Sequence, residues 1–137
     1  MSTPIDRTRA AVRSIHARET DIDGMPGIDH LERVAEQFPT DVDTQIIALL
    51  HHASEHGNGE YWIMDNASAV VQRALQAAGH FWMDYPTHAA HRILESRSGH
   101  ALAVARACAR DRLDYAPDEY RTKYSLLLAA LTTGGRG

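Results

Sequence analysis

The sequence predicts an all-α fold, an irregular bundle of six or seven helices. Three observations predict it. No segment alternates apolar and polar residues with period two over β-branched side chains, as a half-buried strand does. Apolar residues recur instead at helical spacing in several segments, Leu31, Val34, Ala35 and Phe38 among them. The run Ile46-Ile47-Ala48-Leu49-Leu50 then carries straight into His51 and His52, the pattern of a buried helix ending where a core meets a pocket. The other helices are expected to pack around it.

In order, residues 3–18 place Ile5, Ala10, Ala11, Val12 and Ile15 at roughly helical spacing and end near His16. Residues 19–27 are polar, with two glycines and a proline, and read as a loop. Residues 28–38 form an amphipathic helix stopped by Pro39. Thr40 or Asp41 can cap the next helix, with Asp41 and Asp43 in its first turn; it is expected to reach about His56 and end at Gly57. Residues 57–60 read as a loop spanned by an apolar bridge, 61–64. Asn66 is expected to cap a helix through Ala78, stopped by Gly79. An aromatic-rich connector, 80–86, leads to a helix over 87–97 that closes at Ser98-Gly99. The Ala-rich stretch from His100 to Asp114 is strongly helix-forming. Pro117 suits the first position of a last helix to Leu131, and fraying is expected from about residue 132.

A chain of 137 residues is expected to form one domain over 1–137. A net charge of −4 and scattered basic residues argue against general nucleic-acid binding. One cysteine, Cys108, excludes an internal disulfide and fits a reducing compartment. No apolar segment approaches the ~18–20 residues that span a bilayer, and no signal pattern opens the chain. A cytoplasmic protein without membrane contact is expected. Nine histidines are many for this length, so the question is which converge.

Three stretches resemble the HD-domain metal-dependent phosphohydrolases, in particular the alarmone (guanosine polyphosphate) hydrolase branch. That branch has a histidine, a Gln-x-Asp-Lys-x-Gly-x-Pro-Tyr-like loop and a His-Pro-x-x-Val-Ala helix. Here the chain reads His16-Ala-Arg-Glu-Thr-Asp21-Ile-Asp-Gly24-Met-Pro26-Gly-Ile-Asp-His30-Leu-Glu-Arg33-Val34-Ala35. The branch's Ala-x-Leu-Leu-His-Asp-x-x-Glu-Asp element corresponds to Ala48-Leu-Leu50-His51-His52-Ala-Ser-Glu55-His56. Its late Val-Lys-Leu-Ala-Asp-x-x-Asp-Asn helix, followed by Lys-Tyr, corresponds to Val104-Ala-Arg-Ala107-Cys108-Ala-Arg110-Asp111-Arg-Leu-Asp114 and then Lys123-Tyr124. The order and spacing hold over about residues 6–130.

The resemblance implies an HD-like domain holding a divalent metal through two histidines and two aspartates. His30 and His51 match the ligand histidines. His52 stands at the name-giving aspartate and Cys108 at the late ligand aspartate, so the implied set is His30, His51, His52 and Cys108. Glu55 matches the glutamate beside the attacking water, and His56 replaces the acid after it. His16 borders the same pocket, and Arg110 is the candidate for a phosphate contact. Ile22 and Gly27 replace the lysine and tyrosine of the nucleotide-contacting loop.

Exchanging carboxylates for imidazole and thiolate softens the donor set, away from manganese or magnesium and toward zinc; a His-rich set also suits iron. Neighbouring helical residues point ~100° apart, so two arrangements stay open. In one His51 and His52 hold a metal; in the other they are hydrogen-bonded residues lining a metal-free pocket. Glu55 is a general base, or an acid pairing with His51 or His56. Cys108 is a ligand, or a small buried hydrophobe. His88 and His91 share a helix face but lack a third ligand, and Tyr61, Trp62, Phe81, Trp82 and Tyr85 read as packing or as a stacking platform.

The expected function is a divergent HD-type phosphohydrolase acting on a small phosphorylated or nucleotide-like ligand. The alternatives are a non-catalytic binding module on the same scaffold and an iron-dependent oxygenase.

Overall fold

Helix α3, Val42–Leu50, runs through the middle of the molecule with Ile47, Ala48, Leu49 and Leu50 sealed from solvent. In this computed structural model, which describes residues 3–79 and 85–134, α1 (Pro4–Ile15), α2 (Gly27–Glu36), α5 (Ala69–Ala78) and α7 (Gly99–Tyr115) all pack against α3. Helix α4 (Gly57–Asn66) covers α1, while α6 (Pro86–Ser96) and α7 pack on α8 (Arg121–Gly134). The described residues are therefore all-α, with eight α-helices, 3-10 turns at Ala53–Glu55 and Asp118–Tyr120, and no strand beyond one bridge between Thr20 and Pro26. None of these helices is long and apolar enough to cross a membrane. Each fully buried Leu or Ile in the core contributes about 1.5–3 kcal/mol of burial free energy.

The helix starts follow local chemistry. Thr3 and Asp6 form a reciprocal capping box on α1. Asp41 accepts from the Thr44 amide, so it, and not Thr40, caps α3. Ser68 and Ser98 cap α5 and α7.

Four boundaries differ from the sequence expectation. Helix α3 stops at Leu50 instead of His56, and Gly57 opens α4 instead of closing α3. The stretch read as loop and bridge, 57–64, is helix; this raises the count to eight. Tertiary contact explains it: a Cβ on Gly59 would lie 2.0 Å from the Ala53 carbonyl oxygen, so the glycine lets α4 fold directly onto the preceding turn. Asn66 ends α4, and the cap of α5 passes to Ser68. Pro117 precedes the 3-10 turn, and α8 begins at Arg121 and runs on through Gly134, past the expected point of fraying. Most of the aromatic connector, with His80, Phe81 and Trp82, lies outside the described residues.

Candidate metal centre

Because α3 ends at Leu50, His51 and His52 are not held to helical spacing. His51 closes the helix at φ −65°, ψ −14°, and His52 leads into the 3-10 turn at φ −109°, ψ −2°. Their rings come to 4.2 Å between centroids, tilted by 44°. His30, in the first turns of α2, brings its ring to 5.4 Å from His51 and 5.3 Å from His52. Cys108 reaches in from α7, its Sγ 3.5 Å from His30 Nε2. One candidate donor atom from each of the four lies within 4.8 Å of every other, and all four residues are buried. The rings of the adjacent histidines thus meet just past the end of α3.

The hydrogen bonds fix which nitrogen each ring offers. His30 Nδ1–H donates to Asp111 Oδ2 at 2.6 Å, His51 Nδ1–H to the Ala48 carbonyl at 2.5 Å, and His52 Nδ1–H to Glu55 Oε1 at 2.6 Å. A proton held at Nδ1 leaves the lone pair at Nε2, the arrangement that outer partners impose on metal-binding imidazoles. Asp111 is itself gripped by Arg33, through Nε at 2.7 Å and Nη2 at 3.0 Å.

Electrostatics favour neutral imidazoles. Burial, then the nearby Arg112 charge, holds His30 well below the usual histidine range. Burial and the neighbouring His52 do the same to His51, and burial with Arg112 brings His52 to about 3. Neutral imidazole is the ligating form. Burial pushes the Cys108 thiol up to about 12, so binding there must displace its proton. Tetrahedral zinc, with bonds of ~2.0–2.3 Å, keeps its donors about 3.3–3.8 Å apart. This buried group can hold a metal ion.

A cavity of about 330 Å³ adjoins the quartet, with His30 and His52 in its wall beside Glu55, Arg112, Lys123 and Tyr124. His51 and Cys108 lie behind that wall. The wall carries both signs of charge: Arg112, 5% exposed, makes a two-pronged ion pair with Asp21, Lys123 stands near it, and Glu19 and Glu55 are in the same lining. Burial holds the Lys123 ammonium below its usual value. Arg33 spans from Asp111 to Asp23 (3.0 Å), tying the 19–27 loop to α2 and α7.

The structure thus gathers His30, His51, His52 and Cys108 and sets Glu55 beside them. Glu55 accepts a hydrogen bond from His52 across the 3-10 turn. Arg110 is exposed and outside the cavity lining. On α7, Asp111 and Arg112 follow Cys108 by three and four residues and share its face, whereas Arg110 is turned away; the buried cation is Arg112. His16 is 2% exposed and does not line the cavity, since Glu19, which accepts from its Nδ1, stands in the wall instead. Asp111, which the sequence offers as one half of an ion pair, meets His30 and Arg33, and the Asp21–Arg112 pair is new; the i+3 and i+4 relation to Cys108 is the signal for Asp111 and Arg112. His91 makes only an exposed pair with Glu95. His100 bonds Thr44.

Comparison with models of protein families, with curated proteins and with solved structures found no match in any of the three.

Proposed function

We propose that this chain is a divergent HD-type metal-dependent phosphohydrolase that takes a small phosphorylated or nucleotide-like ligand. The observation that carries the reading is the convergence of one donor atom from each of His30, His51, His52 and Cys108 beside a cavity lined by Arg112 and Lys123. The donor set, three nitrogens and one sulfur, favours zinc. A bound divalent ion supplies a water of lowered pKa and offsets charge developing on a phosphoryl group. Arg112 and Lys123 draw the phosphate into the cavity. Ile22 and Leu31 give its organic part an apolar wall. Glu55, in the same wall, orients His52 and takes the proton of the attacking water.

A second reading, a non-catalytic ligand-binding module, is favoured by one feature. Four protein donors complete a tetrahedral zinc ion and leave no open position.

The test is metal content per chain on protein made without a His tag and purified without chelator, followed by a screen of nucleotides and phosphomonoesters. About one ion per chain is expected, with hydrolysis of at least one compound, and both lost in His51→Ala. Metal without turnover, with a phosphorylated compound still raising Tm, selects the binding module. Turnover unchanged in His51→Ala overturns the proposal.

A further inference from the structure

A second group of donors, His16, Glu19 and His56, meets behind the cavity rim, where Glu19 alone of the three stands in the wall. His16 ends α1, Glu19 opens the following loop, and His56 joins the 3-10 turn to α4. His16 and Glu19 lie three residues apart and His56 comes from a distant stretch, and one candidate donor atom from each lies within 4.8 Å of the others. Glu19 Oε2 accepts from His16 Nδ1 at 3.1 Å and from His56 Nε2 at 2.6 Å, and the two rings stand edge to face, 5.0 Å apart.

Two features beyond this proximity show a prepared position. The Glu19 side chain lies against Gly27, where any Cβ would fall 2.7 Å from Oε1. Glycine leaves the carboxylate its present position, from which a Cβ would displace it, and the Gly27 amide holds the same residue by donating to the Glu19 carbonyl at 2.9 Å. In addition, the His16 side chain is fully buried and its Nε2 has no hydrogen-bond partner. An enclosed, unsatisfied ring nitrogen is costly. With Nδ1–H held on the Glu19 carboxylate, the ring's lone pair is on this enclosed Nε2.

We infer that His16, Glu19 and His56 form a second divalent-metal site, distinct from the His30, His51, His52 and Cys108 group. Two imidazoles and a carboxylate are the donor set of zinc sites that keep a fourth position for water or ligand. The first group can close around its ion with four donors, whereas this one offers three. The inference stands apart from the proposed function, because its readout is binding and not turnover.

The experiment is zinc titration of tag-free, chelator-stripped full-length protein against a competing chelator, so that weak surface chelation is not counted, repeated with cobalt for absorption spectra. The wild type is expected to take two equivalents. His56→Ala, whose side chain is 38% exposed, and the isosteric Glu19→Gln are expected to take one and keep the thiolate-to-cobalt absorption of Cys108. Gly27→Ala is expected to weaken the rim site by ~10–100-fold, as loss of ligand positioning does. One equivalent lost in His56→Ala but kept in His51→Ala sustains the rim site and removes the other. Binding that His56→Ala and Glu19→Gln leave unchanged overturns the inference, and so does a wild type that takes no zinc.

Discussion

Asp111 Oδ2 accepts from His30 Nδ1 at 2.6 Å while Arg33 holds the same carboxylate from its other side. A residue on α7 thereby orients a ring on α2 and joins the two helices that flank the quartet. Asp111→Asn is expected to lower zinc affinity by ~10–100-fold, the usual effect of losing an outer partner of a ligating imidazole. Asp111→Ala, which leaves Arg33 without that carboxylate in a largely buried site, is expected to cost about 3–5 kcal/mol. Zinc titration and urea unfolding check the two. Unchanged affinity in Asp111→Asn would mean that His30 is not a ligand.

Arg112 and Arg110 should separate sharply. The Arg112 and Asp21 side chains are 5% and 10% exposed, so Arg112→Ala strands a buried carboxylate and is expected to cost about 3–5 kcal/mol. Arg110→Ala removes an exposed group and is expected to stay within about 0.5 kcal/mol. Equal effects of the two on unfolding would contradict the assignment of the buried cation.

Stability of the metal-free protein should fall in mild acid. The folded-state pKa values of His30, His51 and His52 lie below the ordinary histidine value, so below ~6.5 the unfolded chain binds protons that the folded chain refuses. The stabilisation is complete above about pH 6.5 and is lost as pH drops toward the folded values. The slope reaches about 1.4 kcal/mol per pH unit for each histidine. Urea midpoints at pH 7.5 and 5.5 measure it. Equal midpoints would rule out three neutral buried imidazoles.

Cys108 offers a test that distinguishes ligand from packing. Cys108→Ala replaces a small buried group and is expected to fold, yet to lose the thiolate-to-cobalt absorption and to weaken zinc binding. Zinc uptake by the wild type is expected to release about one proton more than uptake by Cys108→Ala, because the thiol must ionise to ligate. Identical proton release, followed by a pH indicator in weak buffer, would make Cys108 a packing residue only.

Gly59→Ala should destabilise through backbone contact alone. The new Cβ would meet the Ala53 carbonyl oxygen at 2.0 Å, and carbonyl and helix cannot both stay in place. A loss of about 1–3 kcal/mol is expected, as for overpacking. An unchanged urea midpoint would argue against the close approach of α4 to the 53–55 turn.

The helical fold was largely legible because it rests on local signals. Apolar spacing marked α2 and α3, and Pro39 and Asp41 marked the boundary between them. Where a boundary depends on distant contact, local reading failed. Gly57 looks like a helix stop, and nothing in 57–64 alone reveals that Gly59 will lie on the Ala53 carbonyl. The same division runs through the site. His30, His51, His52 and Cys108 were reached by motif order, but whether adjacent imidazoles could point the same way depended on α3 ending one residue before them.

By itself, then, the sequence determined an all-α chain, a buried central helix leading into two histidines, and a short set of residues able to ligate a metal. The first two follow from periodicity and caps, which act over a few residues; the last follows from the order and spacing of the motifs that the chain resembles. Tertiary structure alone decided that Asp111 orients His30, that Arg112 and not Arg110 faces the cavity, and that His16 meets Glu19 and His56. Those pairings join residues as far as 91 positions apart, and their distances follow from how α1, α2, α3 and α7 pack, a property of the assembled core that no local pattern encodes.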